Sequence, residues 1–290
     1  MMKSSPGESL IDRSKQLLDS AQEHSYKETD DGVDLKAYVF SPPEPATQLR
    51  TALIFFFAGA WDKGVVAQFA PQAMHFVDRD AVSILVEYRI SSVHGSNPLD
   101  SMSDARSAIR WARYNAEALG IDSRRIIAIG GSGGAQLALS SAMISDVADD
   151  PSDPNISCVP DGVILFSAAA DTSKKGFGHE HFLNANDANR ANPAKHVAKN
   201  LPPMLFLHGA ADRIIPIAGV ARFAKQIARK KNVCDMAGFE GKDHSFYNFN
   251  VDPEGYEAAV SEADRFLVDQ GFLKEREPET ELGEVVEEQA

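Results

Sequence analysis

Five residues near the middle of this chain, Gly130-Gly131-Ser132-Gly133-Gly134, have the make-up of a nucleophile elbow. They satisfy G-x-S-x-G and lie between a strand-like run, Arg125 to Ile129, and a helix-like run that begins at Ala135. The serine of such a turn holds a strained backbone angle, and its neighbours must be small so that strand and helix can approach each other. The turn aims the hydroxyl at open space. It also sets the next amide, that of Gly133, at a helix N-terminus, where it can bind a developing oxyanion. Two other glycine-rich chemistries fail on the same residues. A phosphate loop needs Gly-Lys followed by Ser or Thr, and a dinucleotide fingerprint starting at Gly131 needs glycine where Gln136 stands. A purely structural turn is the remaining alternative.

A serine hydroxyl is a poor nucleophile until a base takes its proton, so this serine calls for a histidine and an acid elsewhere. After an elbow of this kind the acid comes next along the chain and the histidine last. Met204-Leu-Phe-Leu-His-Gly209 reads as a strand, and the loop that follows carries Asp212 just ahead of a helix. The next strand-like run, Val233 to Phe239, exits into a loop that carries His244. Asp235 lies inside that strand, and Asp243 is the histidine's own neighbour, badly placed to orient it from behind. Ser132, Asp212 and His244 are therefore the expected catalytic triad. Taken singly, Asp212 would read as a helix N-cap, His244 as a surface loop residue, and His208 as a hydrogen-bonded structural histidine. Three features in the required order, each after its own strand, outweigh those separate readings. The loop Phe57-Ala-Gly-Ala-Trp61 follows another strand, and its backbone amides can complete an oxyanion site, against the alternative of a plain glycine turn.

These residues need a scaffold that brings strand exits together. Ser25 to Lys27 and Leu35 to Phe40 read as an edge hairpin joined through Asp31-Gly32. Buried strands are expected over Ala52 to Phe57, Val82 to Tyr88, Ile126 to Ile129, Gly162 to Phe166, Met204 to Leu207 and Val233 to Phe239. Amphipathic helices are expected over Val65 to Asp78, Met102 to Leu119, Ala135 to Ser145, Ile217 to Lys230 and Glu254 to Gln270. Such alternation predicts an α/β fold with a mostly parallel eight-stranded sheet and helices on both faces. Chemistry on such a sheet gathers at the carboxyl ends of the strands.

With 290 residues the chain can bury one large core, and 43% hydrophobic with 24% charged residues is ordinary for a water-soluble domain. The expected organisation is an N-terminal extension over 1–24 with a helix from Ser9 to Ala21, a catalytic domain over 25–273 with a small cap-like insertion at 170–199, and an acidic disordered tail over 274–290. The Pro-rich patch Ser41 to Pro45 reads as a turn. A net charge of −13 argues against nucleic acid and anionic membrane as partners. No run is long enough to span a bilayer, and Met1 to Lys15 lacks the apolar core of a secretory signal, so cytoplasm is the default expectation. Cys158 and Cys234 read as unpaired, partly buried thiols, and neither a metal nor a cofactor is implied.

From Tyr26 to Phe272 the chain resembles the carboxylesterase branch of the α/β-hydrolases, the acetyl esterase/lipase group related to hormone-sensitive lipase. Besides the triad, the resemblance rests on Phe55-Phe-Phe-Ala-Gly-Ala-Trp61 for the HGGGW loop and Glu87-Tyr88-Arg89 for a D-Y-R strand end. It rests also on Asp104-Ala105 with Ile109-Arg110-Trp111 before the elbow, and on Leu119-Gly120-Ile121-Asp122. It implies oxyanion donors at the amides of Gly59, Ala60 and Gly133, a substrate-binding Trp61, and a structural ion pair between Arg89 and Asp104. The family's loop histidine is Phe57 here, and two of its glycines are Ala58 and Ala60, which retains the amides but makes the loop less open. The elbow reads Ser-Gly-Gly-Ala rather than Ser-Ala-Gly-Gly.

The segment from Ala170 to Lys199 is polar, with His179 and His181 reading as solvated loop residues. Its composition favours a short acyl group, acetyl-type, on a small-molecule or carbohydrate ester. The expected activity is serine carboxylic ester hydrolysis through an acyl-serine intermediate. A prolyl-oligopeptidase-like serine peptidase and a catalytically silent binding protein of the same fold are the alternatives. No propeller precedes the domain to favour the former, and only the altered oxyanion loop favours the latter.

Overall fold

Eight strands build one sheet: β1 Gln22–Glu28, β2 Asp34–Phe40, β3 Arg50–Phe56, β4 Val82–Val86, β5 Ile121–Gly131, β6 Gly162–Phe166, β7 Met204–Gly209 and β8 Cys234–Phe239. The computed structural model describes residues 15–45, 47–147 and 155–276. The strand order is β1-β2-β4-β3-β5-β6-β7-β8. β1 and β2 run antiparallel to their neighbours, and all pairings from β4 across to β8 are parallel. Parallel strands need crossover helices, and these cover both faces of the sheet.

The residues of β3 show how the two faces arise. Side chains alternate along a strand, so Ala52, Ile54 and Phe56 enter one apolar cluster while Leu53 and Phe55 enter the other. The first cluster takes Met102, Ala105, Ala108, Ile109 and Ala112 of α2 (Pro98–Tyr114), residues of α3 (Gly133–Met143), and Val220, Phe223, Ala224 and Ile227 of α5 (Ile217–Arg229). The second takes Ala70, Ala73, Phe76 and Val77 of α1 (Ala70–Val77), with Ala259, Ala263, Phe266 and Leu267 of α6 (Pro253–Asp269). The fold is the expected one: an α/β-hydrolase sheet, mostly parallel, with helices on both faces.

Several boundaries differ from the sequence reading, each for a local reason. α2 begins at Pro98 rather than Met102, because Asn97 and Asp100 form a capping box and proline fits the first helical position. α1 is shorter than the run from Val65, since its first turn, Val66–Phe69, is a 3-10 helix. β5 extends well beyond Ile126–Ile129 in both directions, with Ile121 paired to Arg50 and Gly131 to Phe166. A short helix, α4 (Ala185–Arg190), lies within the 170–199 segment, where no helix was expected. Of the helix expected over 9–21, residues 15–18 are helical, with Leu17 and Leu18 against the second apolar cluster; residues 1–14 lie outside the described residues. Positions 277–290 of the expected tail also lie outside them.

Asp104 is fully buried and ties three elements together. Its Oδ1 accepts from Arg89 Nη2 at 2.8 Å and lies 3.0 Å from Lys27 Nζ, and its Oδ2 accepts from Arg89 Nε at 2.9 Å. This is the ion pair expected of Arg89 and Asp104, with Lys27 as a third member. Cys158 and Cys234 are free and partly buried, and burial pushes the Cys234 thiol up to about 12.

Candidate active site

Three strand exits converge at the carboxyl edge of the sheet. Ser132 stands between β5 and α3 with φ +52° and ψ −114°, a conformation that costs energy for a side-chain-bearing residue. The turn is strapped to the exit of β6, since Ser132 N donates to Phe166 O at 2.9 Å and Ala169 N donates to Ser132 O at 3.2 Å. Gly134 is needed for close approach, because a Cβ there would lie 2.2 Å from Phe56 O and 2.3 Å from Phe57 O. Strand β3 and helix α3 thus touch backbone to backbone beneath the serine.

The exit of β8 carries His244 to the same place. Its Nε2 is 3.1 Å from Ser132 Oγ, and its Nδ1 is 2.8 Å from Asp212 Oδ2. The two exit loops are fastened to each other by Ala211 N donating to Lys242 O at 2.9 Å, and the backbone of His244 is held by Ser167 Oγ donating to its carbonyl at 2.8 Å. The structure therefore brings Ser132, His244 and Asp212 into one hydrogen-bonded line. Ser132 is only 4% exposed and the Asp212 side chain is fully buried, while the imidazole between them is partly exposed.

Asp212 combines its two sequence readings. Its Oδ1 accepts from the amides of Ile214 (2.8 Å) and Ile215 (2.9 Å), as a capping aspartate would, while Oδ2 faces His244. Burial by itself would push the Asp212 carboxyl up. Hydrogen bonds from His208, His244 and the Ile215 amide override it and hold the group well below the usual carboxylate range. It is a fixed anion behind the imidazole.

The loop after β3 approaches from the other side. Gly59 (φ +142°), Ala60 (φ +57°) and Trp61 (φ +59°) turn it back on itself. Ala60 N lies 3.2 Å from where a Cβ on Gly133 would be. No acceptor among the described residues takes the amides of Gly59, Ala60 or Gly133. Backbone donors left without partners at the serine turn are what an oxyanion can use. The loop is steadied from behind: Gln68 Oε1 accepts from Ala58 N at 2.6 Å, Gln68 Nε2 donates to Asn248 Oδ1 at 2.8 Å, and Asn248 Nδ2 donates to Ser245 O at 3.0 Å. A single chain of amides thus joins this loop to the loop of His244.

Trp61, expected at the substrate, is 1% exposed; its indole packs against Phe177, Phe182 and His181, so the 170–199 segment covers it. His179 and His181 are half-buried rather than solvated, His181 with its ring edge-on to Trp61 and His179 with Nδ1 3.2 Å from Thr172 O.

The sequence reading missed Gln68 and Asn248; His208 is the hydrogen-bonded strand histidine it expected, with a proximity to Asp212 that it did not foresee. His208 is buried beside the acid, with Nε2 2.8 Å from Ile215 O and 3.1 Å from Asp212 Oδ2. The spacing His208-Gly-Ala-Ala-Asp212 across a strand exit was the available signal. Among the described residues there is no group of three His, Cys, Asp or Glu placed to hold a metal, and no helix long and apolar enough to cross a membrane.

The BD-FAE family profile matches residues 38–227. Esterase 2 of Thermogutta terrifontis is similar over 89% of this chain and 98% of its own, at 36% identity and a TM-score of 0.84. That enzyme has also been solved phosphoramylated by tabun and with propionate or butyrate bound. Esterase LipC of Mycobacterium tuberculosis is 26% identical over 71% of this chain and 54% of its own length. Endo-1,4-beta-xylanase B of Butyrivibrio fibrisolvens is 28% identical over 55% of this chain and 26% of its own length. The chain thus spans between a quarter and about half of these two curated relatives.

Proposed function

The chain belongs to the BD-FAE family of α/β-hydrolases, and from that membership we propose that it is a serine carboxylesterase working through an acyl-serine intermediate. The observation that carries this reading is the unbroken line from Ser132 Oγ through the His244 ring to Asp212 Oδ2, with links of 3.1 and 2.8 Å.

In the proposed reaction the Ser132 hydroxyl passes its proton to His244 Nε2 as Oγ attacks the ester carbonyl carbon. The carbonyl oxygen becomes an oxyanion and accepts hydrogen bonds from the amides of Gly59, Ala60 and Gly133. The imidazolium is stabilised by the Asp212 carboxylate, to which Nδ1–H donates. Collapse of the tetrahedral adduct expels the alcohol, which takes the proton from Nε2 and leaves an acyl group on Ser132. Water then enters, gives its proton to His244, and attacks the acyl carbon. The carboxylic acid departs as the serine proton returns.

The acyl group is short, of acetyl to butyryl size, and carbohydrate esters are among the substrates. The polar 170–199 segment, seated on Trp61, supports a small site, as do the propionate and butyrate bound to the Thermogutta terrifontis enzyme. The likeness to a xylanase supports a carbohydrate alcohol. The test is a panel of p-nitrophenyl acetate, butyrate and decanoate, acetylated xylan and a Pro-p-nitroanilide, run on the wild type and Ser132→Ala. The reading expects turnover of the short esters that disappears in the variant. Cleavage of the anilide alone would establish a peptidase, and turnover of nothing a silent binding protein.

A further inference from the structure

We propose that His208 is a positioning residue for the reaction, a second imidazole that donates to the same oxygen of Asp212 that His244 uses. The proposal rests on the reading of Asp212 as the acid of the triad.

His208 lies on β7, four residues before Asp212, and is 1% exposed. Both groups that face its Nε2, the Ile215 carbonyl at 2.8 Å and Asp212 Oδ2 at 3.1 Å, are acceptors. The proton therefore sits on Nε2. Its Nδ1 is buried with no hydrogen-bond partner among the described residues. Burying a ring nitrogen without a partner is unfavourable. An aliphatic side chain would fill the same space without that loss, so filling space does not account for an imidazole here. What the ring supplies is one donor, bonded to the Ile215 carbonyl at 2.8 Å and standing 3.1 Å from Asp212 Oδ2, between the acid and the turn behind it.

That donor completes the shell around Asp212. Oδ1 receives the amides of Ile214 and Ile215, Oδ2 receives His244, and His208 Nε2 stands 3.1 Å from Oδ2. Three donors and the adjacent His208 N–H fix the carboxylate plane against rotation about Cβ–Cγ, which sets the direction in which Nδ1 of His244 must point. The donor also draws charge from Oδ2. The titratable groups facing this carboxylate are His208, His244 and, more distantly, Tyr247. With the His208 donor gone, more of the negative charge would fall on His244, favour its imidazolium, and move the acid limb of kcat/KM to higher pH.

The experiment uses the full chain with His208→Leu, His208→Gln and His208→Asn, assayed on p-nitrophenyl butyrate across pH, with Tm for each. The glutamine amide nitrogen can reach the position of Nε2, whereas the asparagine amide is one carbon too short. The expectation is a fall in kcat of about tenfold for His208→Leu with KM within about twofold, and an acid limb displaced upward by about half a pH unit. His208→Gln should recover most of both, and His208→Asn should not. Wild-type kcat and limb in a folded His208→Leu would overturn the proposal. Equal behaviour of the Gln and Asn variants would overturn it too, and decides the matter if His208→Leu fails to fold. A wild type with no Ser132-dependent turnover would overturn the triad reading and this proposal together.

Discussion

The ring of Tyr88 stacks on Phe57 at 4.1 Å, with 15° between the planes, and the Tyr88 hydroxyl donates to Phe57 O at 2.7 Å. One side chain thus grips both the ring and the carbonyl of the residue that opens the loop after β3, where the resemblance leads one to expect a histidine. Tyr88→Phe keeps the stack and drops the hydrogen bond. It should cost about 1 kcal/mol in chemical denaturation and lower kcat more than it changes KM. An unchanged kcat would mean the loop is held sufficiently from elsewhere.

The second support of that loop is Gln68. Gln68→Leu removes the acceptor for Ala58 N and cuts the amide chain to Asn248. Leaving a partly buried amide unpaired costs about 1–3 kcal/mol. The expected kinetic signature is a weakened affinity for a phosphonate or boronate transition-state analogue, with affinity for a product alcohol retained.

Ser132 carries strain that glycine would not. Ser132→Ala should reduce ester turnover at least about 10⁴-fold with Tm nearly unchanged. Ser132→Gly should be equally inactive yet more stable, by about 1 kcal/mol, because φ +52° is free for glycine. A glycine variant no more stable than the alanine one would argue that the turn stores no strain.

Gly59 and Ala60 should respond in opposite ways. A methyl group on Gly59 would lie 1.7 Å from Lys63 O, so Gly59→Ala must displace the loop. Its kcat should fall about 10²–10³-fold, the usual cost of losing an oxyanion donor. Ala60 has φ +57°, which glycine adopts without penalty, so Ala60→Gly should keep its activity. Equal damage from the two would dissociate these amides from catalysis.

Asp212 has its carboxyl held below the usual carboxylate value of about 3.9. Such a group contributes stability that is present above its unfolded pKa and is lost as pH falls through its folded one. The Tm difference between wild type and Asp212→Asn should therefore be widest near neutrality and close in strong acid. Since Asp212 stays ionised far into the acid range, loss of turnover on mild acidification must come from an imidazole. A rate profile flat from about pH 5 to 8 would remove His244 from the role of base.

The parts of the site legible in the sequence are those fixed locally. Ser132 announces itself because its glycine neighbours are demanded by backbone contact, and Asp212 and His244 because each follows a run of strand-forming residues. The start of α2 was legible too, in Asn97, Pro98 and Asp100, yet apolar spacing alone put it four residues late. Gln68 pairs with Asn248, 180 residues away, and side-chain bonds across such a distance leave no local pattern. Trp61 is buried for a similar reason, since Phe177 and Phe182 reach it only once the 170–199 segment has folded over.

The order of strands in space has a consequence for how the molecule is made. From the centre of the sheet, β5 to β8 are added outward in the order in which they are translated. A nascent chain can form the serine turn against β3 and β6 while β7 and β8 are still unmade. His244 is the last of the three aligned residues to leave the ribosome, so the hydroxyl gains its imidazole partner only when the sheet has reached its final edge.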